Sequence, residues 1–529
     1  MKKLLLSGTA AILLASCGGS GGNAKEAEAA LELLSLKESG MGRVDFAEKD
    51  VSGSDATFKD VTIRTSELEP VEDDMDMETD DSVDVDMEGA DLNIETLSFS
   101  GLEVDDAGIA LFSTMKMKGL TAVQTDEDAT GDLTASDLTL EEPSPELAAW
   151  IAGILGAGEV TDMPATEAVS FEGFSLSNLS AVDDEENRFG IGKISVKDYE
   201  QLKAGEMSLE DMNLSFIDTD SDAEGSFKLG SIKVDGAKMD FLKALEEDTE
   251  EGIVSGVTQI AYGNPIDPGF DDFALEDLSF DLAGVSFLLP SMNYKVDRNS
   301  DGVPTKMTMP KFTATFSADA EGGLYGQQVA PMLAAFGYEE VKITGEAEST
   351  YDPETDIADS TKNYIEVENA FRLSTTSKVG GVQKLGEVMQ NMDAEAFSEG
   401  SQDPTSMMME AYSVLDFYNL SLSLEDQGVV DNAFTLVAAQ QGADPAQLRA
   451  QVVGMVSALP AIAQGFGIDP AISTELSTAL SSFLTQSGTL TITMNPEEPV
   501  TLPMLMSDPT AITKQSLGFS AVNDPAETE

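Results

Sequence analysis

The sequence predicts an α+β protein, mainly β: a long curved antiparallel sheet of bulged strands, with helices concentrated in the C-terminal part. Three observations carry this expectation. From about residue 56 to 320 the dominant pattern is short period-2 alternation of apolar and polar residues, the mark of half-buried strands. Within it one eight-residue pattern recurs. Beyond Ser317–Gly323 ("SADAEGG") the grammar changes to helices interleaved with strands.

At the N-terminus, Met1-Lys2-Lys3 is a positive n-region and Leu4 to Leu14 a short apolar segment, too brief to span a bilayer as a permanent helix. The segment closes on Leu14-Ala15-Ser16-Cys17, and Cys17 is the only cysteine in 529 residues. This arrangement resembles the signal peptide and lipobox of bacterial lipoproteins. The resemblance implies removal of residues 1–16, acylation of Cys17 as the first mature residue, and attachment to a membrane through lipid rather than through a helix. Several acyl chains anchor stably because each buried methylene contributes about 0.8 kcal/mol. In the family's sorting pattern an aspartate after the cysteine favours the inner membrane; Gly18 stands here, which points to the outer membrane of a bacterial cell envelope.

Residues 17–23 then form the anchor and a flexible tether, since Gly18-Gly19-Ser20-Gly21-Gly22 has much backbone freedom to lose. "NAKEAEAALELLSL" predicts a short helix with Asn23 as a cap and Ala27, Leu31 and Leu34 on one face. It opens a repetitive β region over residues 24–320, followed by an α+β region over 321–529.

The recurring pattern has apolar or small residues at i, i+2, i+5 and i+7. Its copies are "LSFSGLEV" (Leu97 to Val104), "LTASDLTL" (Leu133 to Leu140), "FSLSNLSA" (Phe174 to Ala181), "MSLEDMNL" (Met207 to Leu214), "IKVDGAKM" (Ile232 to Met239) and "FALEDLSF" (Phe273 to Phe280). Plain alternation puts i+2 and i+5 on opposite faces, so something must reset the phase. The fifth residue of each copy is Gly101, Asp137, Asn178, Asp211, Gly236 or Asp277, the types that best tolerate left-handed backbone angles. A bulge or a tight two-residue turn would serve; Glu210 and Glu276 are poor first residues for a primed turn, which favours the bulge. Repeated bulges would curl the sheet so that Phe99, Phe174, Met207, Leu209, Phe273 and Phe280 line a concave apolar groove. The pattern is similar to that of AsmA-like envelope proteins, whose repetitive sheets form lipid-accommodating grooves. That resemblance implies a lipid ligand, although those proteins are typically anchored by a transmembrane helix. A closed, filled core is the alternative.

In the C-terminal region "EEVKITGEAESTYDPETDIADSTKNYIEVENAFRLSTTS" reads as two strands around an Asp-Pro turn. Asp403-Pro404, Asp444-Pro445, Asp469-Pro470 and Asp508-Pro509 each pair an N-cap with proline at the first helical position. Gly442 and Gly488 sit where C-terminal caps are expected, and "GTLTITMNP" (Gly488 to Pro496) reads as a returning strand. From Val379 onward the only basic residues are Lys384, Arg449 and Lys514, which excludes basic membrane-binding helices.

Composition limits the chemistry. With 97 acidic and 29 basic side chains the formal charge is −68, which repels nucleic acid. Histidine is absent, so imidazole triads and imidazole metal sites are excluded, and an acylated Cys17 is no nucleophile. No enzyme and no organic cofactor is expected. Calcium is the one ion the sequence raises. "DRNSDG" places Asp297, Asn299 and Asp301 at alternate positions with Gly302 sixth, but Thr308 stands where the bidentate glutamate is needed. "DTDSDAEG" offers Asp218, Asp220 and Asp222 with the same defect at Leu229, and hairpin turns are the alternative for both. Val71 to Asp91 packs eleven acids and no base, either a weak calcium surface or a solvated acidic edge. The sequence thus supports a lipid-anchored, non-enzymatic envelope protein with an apolar-ligand groove, or a structural lipoprotein whose acidic face engages calcium or partners.

Overall fold

A computed structural model describes residues 24–65, 90–124, 132–156, 164–165, 168–182, 187–218, 223–238, 267–390, 409, 412–465, 468–507 and 512–525. The signal and tether, most of the acidic run 71–91, Asp220, Asp222, Asp403 and Asp508 lie outside them. The fold is α+β and mainly β, with antiparallel strand pairing and most helices in the C-terminal part. Contact density divides the chain into two units, 1–252 and 253–529. Beyond about residue 320 helices become frequent.

In the first unit β1 (Val44–Asp45) and β2 (Glu48–Ser52) both pair with β3 (Asp55–Ile63). From β3 the ladder runs through β4 (Ala90–Ser100), β7 (Thr114–Gln124), β8 (Asp132–Glu141), β9 (Ser170–Val182), β10 (Arg188–Glu200), β11 (Ala204–Asp218) and β12 (Ala223–Ala237). The short strands β5 (Glu103–Val104) and β6 (Ala110–Leu111) form a separate pair.

Left-handed residues organise this sheet. Asp60, Glu95, Gly119, Ser136, Asn178, Gly192, Asp211 and Gly230 face one another from β3 to β12, and none forms a ladder pair, while the pairs on either side keep one register. Along this seam φ is positive in every second strand: Asp60 (49°), Gly119 (61°), Asn178 (51°) and Asp211 (55°). Six residues further along, a second line of positions runs through Ser54, Gly101, Ser113 and Glu142, just beyond the ends of β3, β4, β7 and β8, and through Glu172, Asp198, Gly205 and Gly236 within β9–β12. There the left-handed residues are Gly101, Glu142, Asp198 and Gly236, so the role falls to the other four strands. The first seam resets the pleat in all eight strands together, and the second in β9–β12, so no strand gains a residue on its neighbour. The outcome is the one expected of a bulge: Ala56, Phe58, Val61 and Ile63 of β3 are all buried, with Lys59 and Asp60 exposed between them.

Five of the six residues expected to be left-handed are so; Asp137 is not. The reason is symmetry. The spacing i, i+2, i+5, i+7 reads the same in both directions, so in an antiparallel neighbour the fourth residue meets the fifth. In β8 the seam position is therefore Ser136, and its neighbours Gly119 and Asn178 supply the left-handed angle. Gly101 also differs, because it ends β4 rather than bending it from within.

The apolar face of β3, β4, β7 and β8 is closed. The helix Ala24–Leu33 and the helix Pro145–Leu155 pack over it together with β5 and β6. Ala27 and Leu31 of the first helix, and Leu34 just after its end, are fully buried, as the periodicity predicts. The second helix interrupts the region read as strands. Its signal is present in the sequence: Ser144 caps the amide of Leu147 and Pro145 takes the first turn, the same chemistry as the Asp-Pro starts. Arg43, 6% exposed, crosses from the β1 side to donate to the carbonyls of Gly153 (3.2 Å) and Gly156 (2.6 Å), closing that helix's C-terminus.

The second unit continues the style. β13 (Asp272–Leu282), β14 (Val285–Arg298), β15 (Pro304–Ala318), β16 (Glu340–Asp352), β17 (Ile357–Val367), β18 (Phe371–Gly380), β19 (Asp416–Asp426), β20 (Thr489–Met494) and β22 (Ser520–Asp524) pair in that order, and β21 (Val500–Thr501) joins β19. Register shifts of the bulge type occur in the five ladders from β14–β15 to β18–β19. Asp277 (φ 53°) faces Pro290, a residue with no N–H to give the ladder. Residues 340–380 hold three strands, not two: besides the Asp352-Pro353 turn, Asn369 (φ 60°) makes a second reversal between β17 and β18.

Asp444 and Asp469 cap helices Pro445–Ser457 and Pro470–Gln486, and Gly442 (φ 63°) ends the helix Val429–Gln441. Asp469 does double duty: one oxygen accepts from Ala471 N (2.8 Å) and the other from Lys514 N (2.7 Å). These bonds hold its carboxyl below the usual aspartate value of 3.8. Glu475, hydrogen-bonded first to the Lys514 ammonium and also to Ala521 N, is likewise lowered. A carboxylate depressed by folding adds stability above its unfolded pKa and loses that contribution as pH falls through its folded pKa. The β20–β22 end of this unit is therefore expected to weaken below about pH 4. Comparing acid-side urea midpoints of wild type and Asp469→Asn checks this; equal pH slopes would exclude the role.

Candidate functional site: an apolar sheet face

The pattern that fills the core under the two helices runs on into β9–β12. Phe174, Val196, Met207 and Val234 pair in one row across the four strands, and Leu176, Ile194, Leu209 and Ile232 in the next. Beyond the seam, Leu179 pairs with Ile191 and Met212 with Leu229, and the last row is Ala181, Phe189, Leu214 and Phe227. Sixteen apolar or small positions thus share one face. Unlike β3–β8, most of them are only half-buried, although Leu176, Ile191, Leu229 and Val234 are below 9% exposed. Phe174, Leu179 and Ile194 pack half-buried against the margin of the closed core, and among the described residues neither helix makes substantial contact with β10, β11 or β12.

Of the six residues expected to line a groove, Phe174, Met207 and Leu209 are on this face. Phe99 is not. It is fully buried in the closed core, ringed by Phe58 (6.4 Å between centroids) and Phe112 (5.4 Å). Phe273 and Phe280 belong to the second unit, where Phe273 pairs with Tyr294, and Phe280 heads a row through Phe287, Phe316 and Val341, all half-buried. Tyr294 donates to Met307 Sδ (3.3 Å), and burial raises its pKa. Sequence reading missed the copies of the pattern in β10 (Phe189, Ile191, Ile194, Val196) and β12 (Phe227, Leu229, Ile232, Val234). The same spacing was there to find them.

The polar side of the sheet carries an open groove of ≈570 Å³ over the first seam, lined by Asp60, Glu95, Thr134, Ser136 and Asn178, with side-chain-free Gly119 in its floor. Asn178 Nδ2 donates to Ser136 Oγ at 2.9 Å, tying neighbouring strands where the ladder skips.

The first half-calcium loop is a hairpin turn, and Asp220 and Asp222 of the second lie outside the described residues. Between β14 and β15, Asn299 Oδ1 accepts from the amides of Asp301 (2.9 Å) and Val303 (3.0 Å), so it is turned onto its own turn. Asp297 pairs with Lys295 at 2.8 Å. Arg298 anchors the hairpin base, gripping Asp267 (2.8 Å), Asp271 and the carbonyl of Phe270 (2.8 Å). Asp218 pairs with Ala223 at the base of the β11–β12 hairpin. Among the described residues, no three acidic, histidine or cysteine side chains come together as a metal site. Arg449 is paired with Asp431 and lies over the Phe434 ring.

Residues 364–524 match a protein family described as "Uncharacterized protein". No curated protein and no solved structure matches the chain.

Proposed function

We propose that this chain is a lipid-anchored, non-enzymatic envelope protein that shelters the acyl part of a lipid, or a similar apolar ligand, on the β9–β12 face. One observation carries this reading. A single spacing places apolar residues on one face from β3 to β12; helices close that face over the first four strands of the ladder, but none among the described residues closes it over the last three. An apolar area of this extent calls for something to meet it, and a ligand, a membrane or a partner would serve. Methionine at positions 207 and 212 suits ligands of variable shape. The anchor reading rests on Leu14–Cys17 and is independent of the face.

Native mass spectrometry of the detergent-extracted chain tests both. The expected spectrum shows acyl mass on the peptide beginning at Cys17 and a lipid adduct on the folded chain. Leu209→Asp is expected to remove the adduct, and Ser208→Asp, on the opposite face of the same strand, to keep it. A wild-type chain that carries no lipid and takes up none when phosphatidylglycerol or oleate is added would exclude the ligand reading.

A further inference from the structure

The groove on the polar side of the first unit's sheet lies opposite the closed core and plays no part in the lipid reading. It crosses β3, β4, β7, β8 and β9, a length of roughly 19 Å at about 4.8 Å per strand step. Val61, Ile94, Leu120 and Ala135 turn their side chains into the core, so only their backbone forms the floor. Two polar rails flank it. One is the row Thr62, Asn93, Thr121 and Thr134, which pair in succession. The other is the first seam, with Asp60, Glu95, Ser136 and Asn178. A Cβ on Gly119 would stand 2.5 Å from Glu95 Cγ, so the bare glycine is what lets this glutamate lie across β7.

We propose that this groove binds an extended, uncharged glycan strand laid across the β-strands. The polar groups left over select the class. Thr62 Oγ1 donates to Asn93 Oδ1 (2.8 Å), which leaves the Asn93 amide hydrogens as donors. Asn178 Nδ2 donates to Ser136 Oγ (2.9 Å), which leaves its carbonyl oxygen as an acceptor. Asp60 and Glu95 only accept, and Lys59 beside Asp60 is taken up by Glu48. A sugar hydroxyl both donates and accepts, so it answers either kind of group. An anion cannot answer the carboxylates, and an acyl chain would strand every polar group it covered. Among the described residues no third acidic side chain joins Asp60 and Glu95, a poor start for calcium, which takes about six to eight oxygens. The rails repeat once per strand, close to the advance of one ring in an extended β-linked glycan, so successive sugars meet successive strands. No aromatic ring lines the groove, so each contact is weak and affinity accumulates along the chain.

The test titrates the detergent-extracted full chain with cellohexaose and chitohexaose, read by saturation-transfer NMR. The expected result is millimolar binding of at least one of them, about tenfold or more tighter than its disaccharide, and no response to the curved maltohexaose. Thr121→Trp, which fills the groove, is expected to abolish binding, and Thr139→Trp, on the same face outside the groove, to keep it. Asn93→Ala removes an exposed side chain and is expected to weaken binding several-fold, which keeps the test open if Thr121→Trp does not fold. Absence of binding by both hexasaccharides overturns the proposal, and so does binding that neither Thr121→Trp nor Asn93→Ala alters. A response to calcium alone, lost in Glu95→Gln and without any glycan response, overturns it too, since the groove is then a cation site.

Discussion

Phe99→Ala is expected to lower the unfolding free energy of the first unit by about 3–5 kcal/mol, whereas Phe174→Ala is expected to cost roughly half as much or less. Both residues lie in the same row across the sheet, joined through Met115 and Leu140. Phe99 has no exposed surface and sits in a run of edge-on rings, Phe46 to Phe58 (4.9 Å), Phe58 to Phe99 and Phe99 to Phe112, so its removal leaves a cavity the helices cannot close. Phe174 is half-buried, and a solvent-accessible gap forfeits less. Trp150, the only tryptophan, is 8% exposed in the helix covering this core, so its fluorescence reports the transition of this unit. Similar losses for the two variants would mean that the face is as closed at β9 as at β4, and the ligand reading would lose its basis.

The second large effect belongs to the seams. Asp211→Val places a β-branched side chain at φ 55° and is expected to cost roughly 2–3 kcal/mol. Asp211→Gly keeps the left-handed angle and is expected to stay within about 1 kcal/mol of wild type. Asn178→Val should exceed the same strain because it also deletes the bond to Ser136. Ser136→Val and Asp137→Val are the controls: neither residue is left-handed, so Asp137→Val is expected to cost less than about 1 kcal/mol and Ser136→Val about 1 kcal/mol for the bond to Asn178 that it deletes. Urea midpoints of the five variants decide the matter. If Asp137→Val is as damaging as Asp211→Val, the alternation of the left-handed role between strands is wrong.

Several features were legible because they are local. Residue type sets backbone tolerance, so Asn178, Asp211, Gly236 and Asp277 could be picked out as left-handed without knowing their neighbours. Asp444 and Asp469 act on amides two or three residues away, and proline at the next position fits only a helix start. The half-calcium loop around Asn299 has a hairpin's flanks because the strands on either side alternate. The face shared by Ala27, Leu31 and Leu34 follows from helical period alone.

The sequence by itself determined the lipobox-like start, the strand grammar, the one-sided apolar pattern and the helix starts, because each depends on residues close in the chain. Only the tertiary structure decided which copies of that pattern are closed. Phe99 and Phe174 lie in one row of the ladder, joined through Met115 and Leu140, yet Phe99 is fully buried within the core under Ala24–Leu33 and Pro145–Leu155 and Phe174 only packs half-buried against its margin. It also decided that Ser136 rather than Asp137 marks the seam, since a palindromic spacing leaves the fourth and fifth residues equivalent until an antiparallel neighbour is placed beside them.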